Sequence, residues 1–494
     1  MEIRDRYAPS PTGNQHIGSV RTALFNYLFA RSGKGKFILR LEDTDRTRCE
    51  EKYVKNLYET FDWLKFRWDE GPDVGGPSAP YVQSERSELY KKCTGELLEK
   101  NKAYYCFCTT ERLDKVRCER EAAHSSESGY DRFCRSIDTE EAVRRAEAGE
   151  AHTIRLKIPL EAATKFIDHI VGNVEWKNED INPDPVLLKS DGFPTYHLAN
   201  VVDDHFMGIT HILRAQEWLP STPLHVIMYE AFGWESPEFC HLPMVMGQDG
   251  KKLSKRHGST GIDEFRRQGC LPEALINYIA LVGCSYEEGK DFYSLDELAE
   301  RFSLEKLARA PAIFDYKKLE WYNGQYIRMK SDEELAALSL PFAVEAGLFG
   351  EAGRNPDSVQ EKLYTAAMTL VKERAVFLAE IPEKLKYLFS EPAIPPNEEF
   401  FPKKADLNKT IELLIKAKTI ADRLSEAPND EEAESFIKSF AEKEALKLGD
   451  LMMPLRVAIT GTRVSPPLFG SLRLLGRGKS LARIERALAA LTHS

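Results

Sequence analysis

Along the first forty residues the pattern of apolar and polar positions changes period twice. Arg4 to Ala8 is a short extended run, and Pro9 and Pro11 end it, since proline can neither donate to a strand ladder nor sit inside a helix. After Gly13, Ile17, Val20, Leu24, Tyr27 and Leu28 recur at i, i+3, i+4 spacing, which predicts a helix ended by Gly33. Phe37 to Leu41 predicts a second, buried strand. A strand, a glycine-bearing loop, a helix and a strand open a doubly wound parallel sheet. The apolar stretches Pro194 to Ala199, Gly208 to Leu213 and Leu224 to Tyr229 are expected to resume that sheet, so the intervening chain reads as an insertion. From about 257 onward the faces have a helical period: Pro272 to Val282, Ser294 to Phe302, Asp332 to Leu340, Gln360 to Ala379, Lys409 to Leu424 and Ser435 to Leu446. The expected fold is therefore an α/β, Rossmann-like doubly wound parallel sheet carrying an inserted α+β domain, followed by all-α domains. The expected boundaries are 1–84 and 194–256 for the two halves of the sheet domain, 85–193 for the insertion, 257–331 for a first helical domain and 332–494 for the rest.

Length agrees with this division, because 494 residues predict about three domains. No apolar run approaches the ~18–20 residues that cross a bilayer, and Met1 to Arg6 lacks the apolar core of a signal peptide. The expectation is a cytoplasmic monomer with no membrane partner. Nine cysteines in a chain of this size suggest metal ligands or packed thiols rather than a disulfide framework. The net charge of −10 does not exclude a nucleic-acid partner, because phosphate affinity follows local basic patches. One such segment closes the chain: Arg456, Arg463, Arg473, Arg477, Lys479, Arg483 and Arg486 stand against Asp450 and Glu485. Alone, it reads equally well as a solvated helix face.

Two stretches carry the chemistry. The first is Arg6-Tyr7-Ala8-Pro9-Ser10-Pro11-Thr12-Gly13, running into His16-Ile17-Gly18-Ser19. Prolines fix this loop, Gly13 and Gly18 admit a ligand close to the backbone, and the following helix offers free N–H groups to phosphate. His16, at that end, can donate to a phosphoryl oxygen. The second is Lys252-Leu253-Ser254-Lys255-Arg256, flanked by Gly250 and Gly258, with four cations in residues 251–256. A basic loop of this kind can close over a triphosphate and neutralise charge developing in phosphoryl transfer.

In this order and at this separation the two stretches resemble the paired signatures of class I aminoacyl-tRNA synthetases. The first has the form found in glutamyl-tRNA synthetases of bacterial type. The likeness extends to Leu41-Glu42-Asp43-Thr44-Asp45-Arg46, Gln83-Ser84-Glu85-Arg86, Leu188 to Gly192, Tyr196 to His205, Phe314-Asp315 and Pro454-Leu455-Arg456. It implies ATP-dependent ligation of L-glutamate to tRNA(Glu) through a glutamyl-adenylate, with Mg²⁺, and transfer to the terminal ribose hydroxyl. His16, Lys252 and Lys255 match the catalytic positions. Pro9, Ser10, Thr12, Gly18, Glu217, Trp218 and Lys255 match the ATP site. Arg6, Ser10, Glu42, Tyr196, Asn200 and Arg214 match the glutamate pocket, where Arg6 or Arg214 would grip the γ-carboxylate bidentately. The insertion would hold the tRNA acceptor end, the first helical domain the stem and the last helices the anticodon, with Arg374 matching an anticodon-reading arginine.

Cys106-x-Cys108 with Tyr130 and Cys134 resembles the zinc site of some relatives. Ser136 stands where the usual histidine would be, and Cys118 and His124 are nearby alternatives; reduced packing thiols remain the other reading. Rivals to the ligase are a shortened paralogue that glutamylates a modified tRNA base, a glutaminyl enzyme, and a non-catalytic tRNA-binding protein. The chain runs about 240 residues past Lys255, which disfavours the first. Predicted helices rather than a β-barrel beyond the core disfavour the second, and two intact signatures disfavour the third.

Overall fold

The computed structural model describes residues 2–45, 48–122, 129–403 and 405–493. They form two compact units, one of residues 1–264 with 276–315, the other of 265–275 with 316–494. The stretch 257–331 is thus shared between them.

In the first unit β1 (Arg4–Tyr7) pairs in parallel with β2 (Lys36–Leu39). Five strands follow: β3 (Ala103–Cys106), β4 (Thr153–Leu156), β5 (Ala163–Asp168), β6 (Gly172–Lys177) and β7 (Val186–Leu188). β3, β4 and β7 make an antiparallel sheet of their own. β5 and β6 form a hairpin that joins a second sheet, in the order β6, β5, β9 (Glu238–Leu242), β8 (His211–Ala215), with β8, β9 and β5 parallel. Thr210 N, just before β8, donates to Arg4 O at 2.9 Å, which sets β8 beside β1. The doubly wound parallel arrangement expected from the sequence is present. β5 brings residues from between the two halves of the sheet domain into its sheet.

Two of the three stretches expected to resume the sheet are helices, Tyr196–Phe206 and Thr222–Phe232; only His211–Ala215 is a strand. Thr222–Phe232 is buried on every side except at Glu230. A helix packed all round shows a continuous apolar run without a 3.6-residue period, and such a run cannot be told from a buried strand by pattern alone. The helix α1 (Ile17–Ser32), which the sequence period does predict, buries Val20, Ala23, Leu24, Phe25, Leu28 and Phe29, while Thr22, Tyr27 and Arg31 stay partly exposed. Phe25 packs on Phe302 with ring centroids 5.5 Å apart. Arg21, buried as well, donates from Nε to Val282 O and from Nη1 to Pro243 O, both at 2.9 Å.

The second unit is helical, with a core that includes Leu335, Tyr364, Met368, Leu414, Leu455 and Ile484. The helix expected over 360–379 ends earlier, as Ser358–Val371, and the N–H groups of Arg374 and Ala375 both close onto Val371 O. The helix expected from Ser435 begins at Asp430, because Asn429 caps it by accepting from Glu432 N at 2.9 Å. The basic closing segment is largely consumed within the unit. Arg473 pairs with Asp430, Arg477 with Asp422, and Arg483 and Arg486 with Glu391. Arg456 donates to Ser465 Oγ at 2.6 Å. Segments earlier in the chain supply the carboxylates, so the excess of cations visible in the sequence is a local count only. Among the described residues no helix is long and apolar enough to cross a membrane.

Candidate active site

A cavity of about 560 Å³ opens at the C-terminal ends of β1, β8 and β9 and the N-terminal end of α1. Of the residues expected for the site, Arg6, Ser10, His16, Gly18, Glu42, Tyr196, Asn200, Arg214, Glu217, Trp218 and Lys252 all line it. Pro9 and Thr12 shape the loop instead. Pro9 O accepts from Glu42 N at 3.0 Å, and Thr12 N donates to Ser10 O at 2.8 Å. The side chain of Lys255 lies outside the described residues, as do Arg46 and His124.

His16 is the N-cap of α1. Ser19 N donates to its Nδ1 at 3.1 Å and Ser19 Oγ accepts from its backbone N at 2.9 Å, a reciprocal cap. Because Nδ1 accepts, the proton of the neutral ring sits on Nε2, which is left to donate to a ligand. Desolvation at the cavity mouth and the charge of Lys252 hold the His16 pKa below the ordinary histidine range, so the ring is neutral near pH 7. At Gly18 a Cβ would stand 3.2 Å from His16 Cε1, which fits the loop's need for a side-chain-free position there. The loop is clasped from the other side: Ile17 N donates to Thr260 O at 2.9 Å and Ile262 N to Gln15 O at 3.1 Å.

The second signature is a tight hairpin rather than an open loop. Leu253 N donates to Val245 O at 3.0 Å, and residues Lys255–His257 make a single 3₁₀ turn. His257 bonds Asp249 Oδ1 at 2.9 Å, which ties the base of the hairpin. Lys252 extends from it to Glu217.

The floor of the cavity is a buried charge network that pattern reading only partly revealed. Arg6 donates to both oxygens of Asp204, at 2.9 and 3.3 Å, and Arg40 donates to Asp204 at 2.6 Å and to Glu42 at 2.9 Å. Asn200 Nδ2 also donates to Glu42, at 3.2 Å. Burial pushes the Glu42 carboxyl up, against the opposing pull of Arg40. The same balance tips the other way at Asp204, where two guanidinium groups overcome burial and keep its pKa below the ordinary aspartate value. Arg40 and Asp204 were not singled out from the sequence. The signal was an arginine inside the apolar run Phe37-Ile38-Leu39-Arg40-Leu41, since a fully buried cation demands a carboxylate.

Arg214, at the end of β8, is buried too, but its partners differ in kind. It donates to His241 Nε2 at 3.1 Å, to His225 Nδ1 at 3.3 Å and to Thr222 Oγ1 at 2.8 Å, all neutral acceptors. Tyr196 covers it, its ring tilted against Trp218 with centroids 4.6 Å apart, and burial with the nearby Glu42 charge pushes the Tyr196 hydroxyl up to about 12. One wall of the cavity thus offers a compensated carboxylate-rich floor, the other a guanidinium with no carboxylate partner among the described residues. An amino acid with an acidic side chain fits this polarity, its ammonium towards Glu42 and its side-chain carboxylate towards Arg214.

In the insertion, the sulfurs of Cys106, Cys108 and Cys134 lie within 4.8 Å of one another. The Tyr130 hydroxyl oxygen is 3.4 Å from Cys106 Sγ and 3.7 Å from Cys108 Sγ. Hydrogen bonds from Cys134 and Tyr130 pull the Cys106 thiol down to about 4. Arg112 Nη1 is 3.4 Å from Cys108 Sγ, and the Arg155 guanidinium lies over the Tyr130 ring at 3.9 Å. Three sulfurs and one oxygen converge here, with cations to offset the excess negative charge of three thiolates on a dication; the donor set fits zinc.

Arg374 lies in the second unit, where its Nη1 donates to Ser465 O at 3.2 Å beside a cavity of about 650 Å³.

The catalytic-domain family of class I tRNA synthetases for E and Q matches residues 2–321, and an anticodon-binding-domain family matches 334–488. A glutamate–tRNA ligase of Treponema denticola is 55% identical over 99% of this chain and 99% of its own length. One from Borrelia recurrentis is 47% identical over 99% and 95%. The crystal structure of a glutamate tRNA ligase from Elizabethkingia meningosepticum, in complex with its amino acid, superposes with a TM-score of 0.87 at 36% identity, covering 99% of this chain and all of that one.

Proposed function

The chain belongs to the class I glutamyl-tRNA synthetase family, and from that premise we propose how its cavity performs the reaction. The reaction is ATP-dependent ligation of L-glutamate to tRNA(Glu), with ATP used together with Mg²⁺. Glutamate enters with its γ-carboxylate on Arg214 and its α-ammonium on Glu42, while Ser10, Asn200 and Tyr196 complete the pocket. Arg6 acts one step removed, holding Asp204 and through it Arg40 and Glu42. The observation that carries this reading is the contrast between the two arginines: Arg6 already has its carboxylate, whereas Arg214 has none among the described residues.

ATP lies over the N-terminal end of α1, with Glu217 and Trp218 near the nucleoside and Lys252 and Lys255 at the triphosphate. The α-carboxylate of glutamate attacks the α-phosphorus in line, the bond to the β-phosphate oxygen breaks, and pyrophosphate leaves. The protein supplies no nucleophile. Its contribution is alignment and stabilisation of the charge that develops on phosphoryl oxygens, from His16 Nε2–H and the lysines. The terminal ribose hydroxyl of tRNA then attacks the mixed anhydride and releases AMP.

In the insertion Cys106, Cys108, Tyr130 and Cys134 hold one zinc, which would fasten the end of β3 to the 130–134 turn beside the surface that takes the acceptor end of tRNA. The helical unit carries the stem and anticodon contacts, with Arg374 at the reading position. Glutamate-dependent ATP–pyrophosphate exchange, run with and without tRNA, tests the assignment. Exchange driven by glutamate and not by glutamine or aspartate is expected, and exchange indifferent to the amino acid counts against it.

A further inference from the structure

The hydrogen-bond partners of Arg214 form an ordered chain. Asp168 Oδ2, which can only accept, lies 2.7 Å from His241 Nδ1, so the imidazole proton is on Nδ1 and Nε2 is bare. Nε2 therefore accepts, from Arg214 Nε–H at 3.1 Å and also from the Thr222 hydroxyl at 3.0 Å. On the other side His225 Nδ1 accepts from Arg214 Nη1–H, which places the His225 proton on Nε2, 3.0 Å from His197 Nδ1. Asp168 is itself anchored, since its carboxylate also receives the backbone N–H groups of Ile170, Val171 and His241. Burial holds His225, His241 and His197 below the ordinary histidine range, so none carries charge near neutral pH. Three of the five guanidinium N–H groups are thereby committed. Of the other two, an Nη2 N–H reaches Trp218 O at 3.5 Å, and the Tyr196 hydroxyl lies within hydrogen-bonding reach of the guanidinium, so these further partners are neutral oxygens as well.

We propose that His241, locked in its accepting tautomer by Asp168, is a positioning residue that aims Arg214 at the substrate's side-chain carboxylate while leaving the guanidinium charge uncompensated. The proposal rests on the reading that Arg214 receives that carboxylate. A carboxylate at position 241 would fix the arginine equally well, but it would satisfy the charge and weaken the preference for an acid over its amide. A neutral acceptor set by a buried aspartate supplies the orientation and keeps the charge available. Asp168 comes from β5, within the stretch that interrupts the two catalytic halves, which gives that stretch a part in amino-acid selection.

The test compares His241→Asn, His241→Gln and Arg214→Ala in the full chain, with tRNA present, by ATP–pyrophosphate exchange. The asparagine amide can still reach Asp168 but is too short for Arg214, whereas the glutamine oxygen reaches the place of Nε2. His241→Asn is expected to lower kcat/KM for glutamate about tenfold or more, to lower the glutamate-over-glutamine preference in parallel, and to leave the KM for ATP unchanged. His241→Gln is expected to recover most of that loss. Equal damage in both histidine variants, or a parallel rise in the KM for ATP, would overturn the proposal by showing that the ring only packs. A fall in glutamate kcat/KM for Arg214→Ala with none for His241→Asn would overturn the positioning role alone. No fall for Arg214→Ala would remove the pocket reading, and the proposal with it.

Discussion

Lys252 Nζ donates to Glu217 Oε2 at 2.6 Å, so the lysine of the second signature is parked on the nucleoside-side turn of the same cavity. Both residues are well exposed, and exposed ion pairs contribute only ~0–1 kcal/mol. Releasing Lys252 to a triphosphate therefore costs little. Lys252→Ala and Lys255→Ala are each expected to lower kcat for exchange by about a hundred- to a thousand-fold, the scale of losing one preorganised charge donor. The KM for glutamate should barely move. Turnover near wild type in both would remove the hairpin from catalysis.

The two arginines should separate in kind. Arg214→Ala removes a charged partner of the substrate and should reduce kcat/KM for glutamate by ~2–4 kcal/mol, with little change in thermal stability. Arg6→Ala strips one of two guanidinium partners from the buried Asp204 and should reduce folding stability by up to ~3–5 kcal/mol, which chemical denaturation would register. A stable Arg6→Ala protein with weakened glutamate affinity would exchange the two roles.

Stability should fall on the acid side of neutrality. His197 is held down to about 4 by burial and by Arg214, against an ordinary value of 6.5. Unfolded, it takes up a proton as pH drops through 6.5; folded, it does not, so the unfolded state gains between pH 6.5 and about 4. His197→Asn, which keeps an acceptor for His225, should flatten the fall of unfolding free energy over that window. An unchanged slope would mean that His197 is charged in the folded protein.

Protein purified without chelator is expected to contain about one zinc per chain, and Cys134→Ser well under half of that, by elemental analysis. Metal-free protein with full activity and unaltered stability would reduce the three thiols to packing.

Arg374→Gln is expected to relax discrimination between glutamate and glutamine tRNAs by ~1–3 kcal/mol, while glutamate and ATP parameters stay fixed. Charging both tRNAs with both proteins decides it; identical selectivity ratios exclude the residue from that role.

How much of this was legible in the sequence depended on whether the chemistry was local. Strand β1, helix α1 and the signature residues His16 and Lys252 could be read directly, because proline, glycine and charge spacing fix them within a dozen residues. The helix Thr222–Phe232 could not, because burial on nearly every side erases its period, and neither could Tyr196–Phe206, although its C-terminal end keeps an exposed side at His205 and Phe206. Arg6 and Arg214 look alike in sequence, each at a strand end. Only the fold gives Asp204 to one and two histidines to the other, from segments far away in the chain. The ion pairs of the closing basic segment were hidden for the same reason, their carboxylates Asp430, Asp422 and Glu391 lying far earlier in the chain.

The burial of most of α1 divides the labour of the catalytic cycle. A helix wedged between strands and the Phe302 region, with Arg21 pinned to two carbonyls, has no room to tilt when ATP arrives. Its N-terminal end is an anvil, and the adjustment between free and loaded enzyme falls to the solvent-facing hairpin of Lys252. In amide hydrogen exchange α1 should be among the last elements to open, and ATP should slow exchange in residues 247–257 far more than in α1.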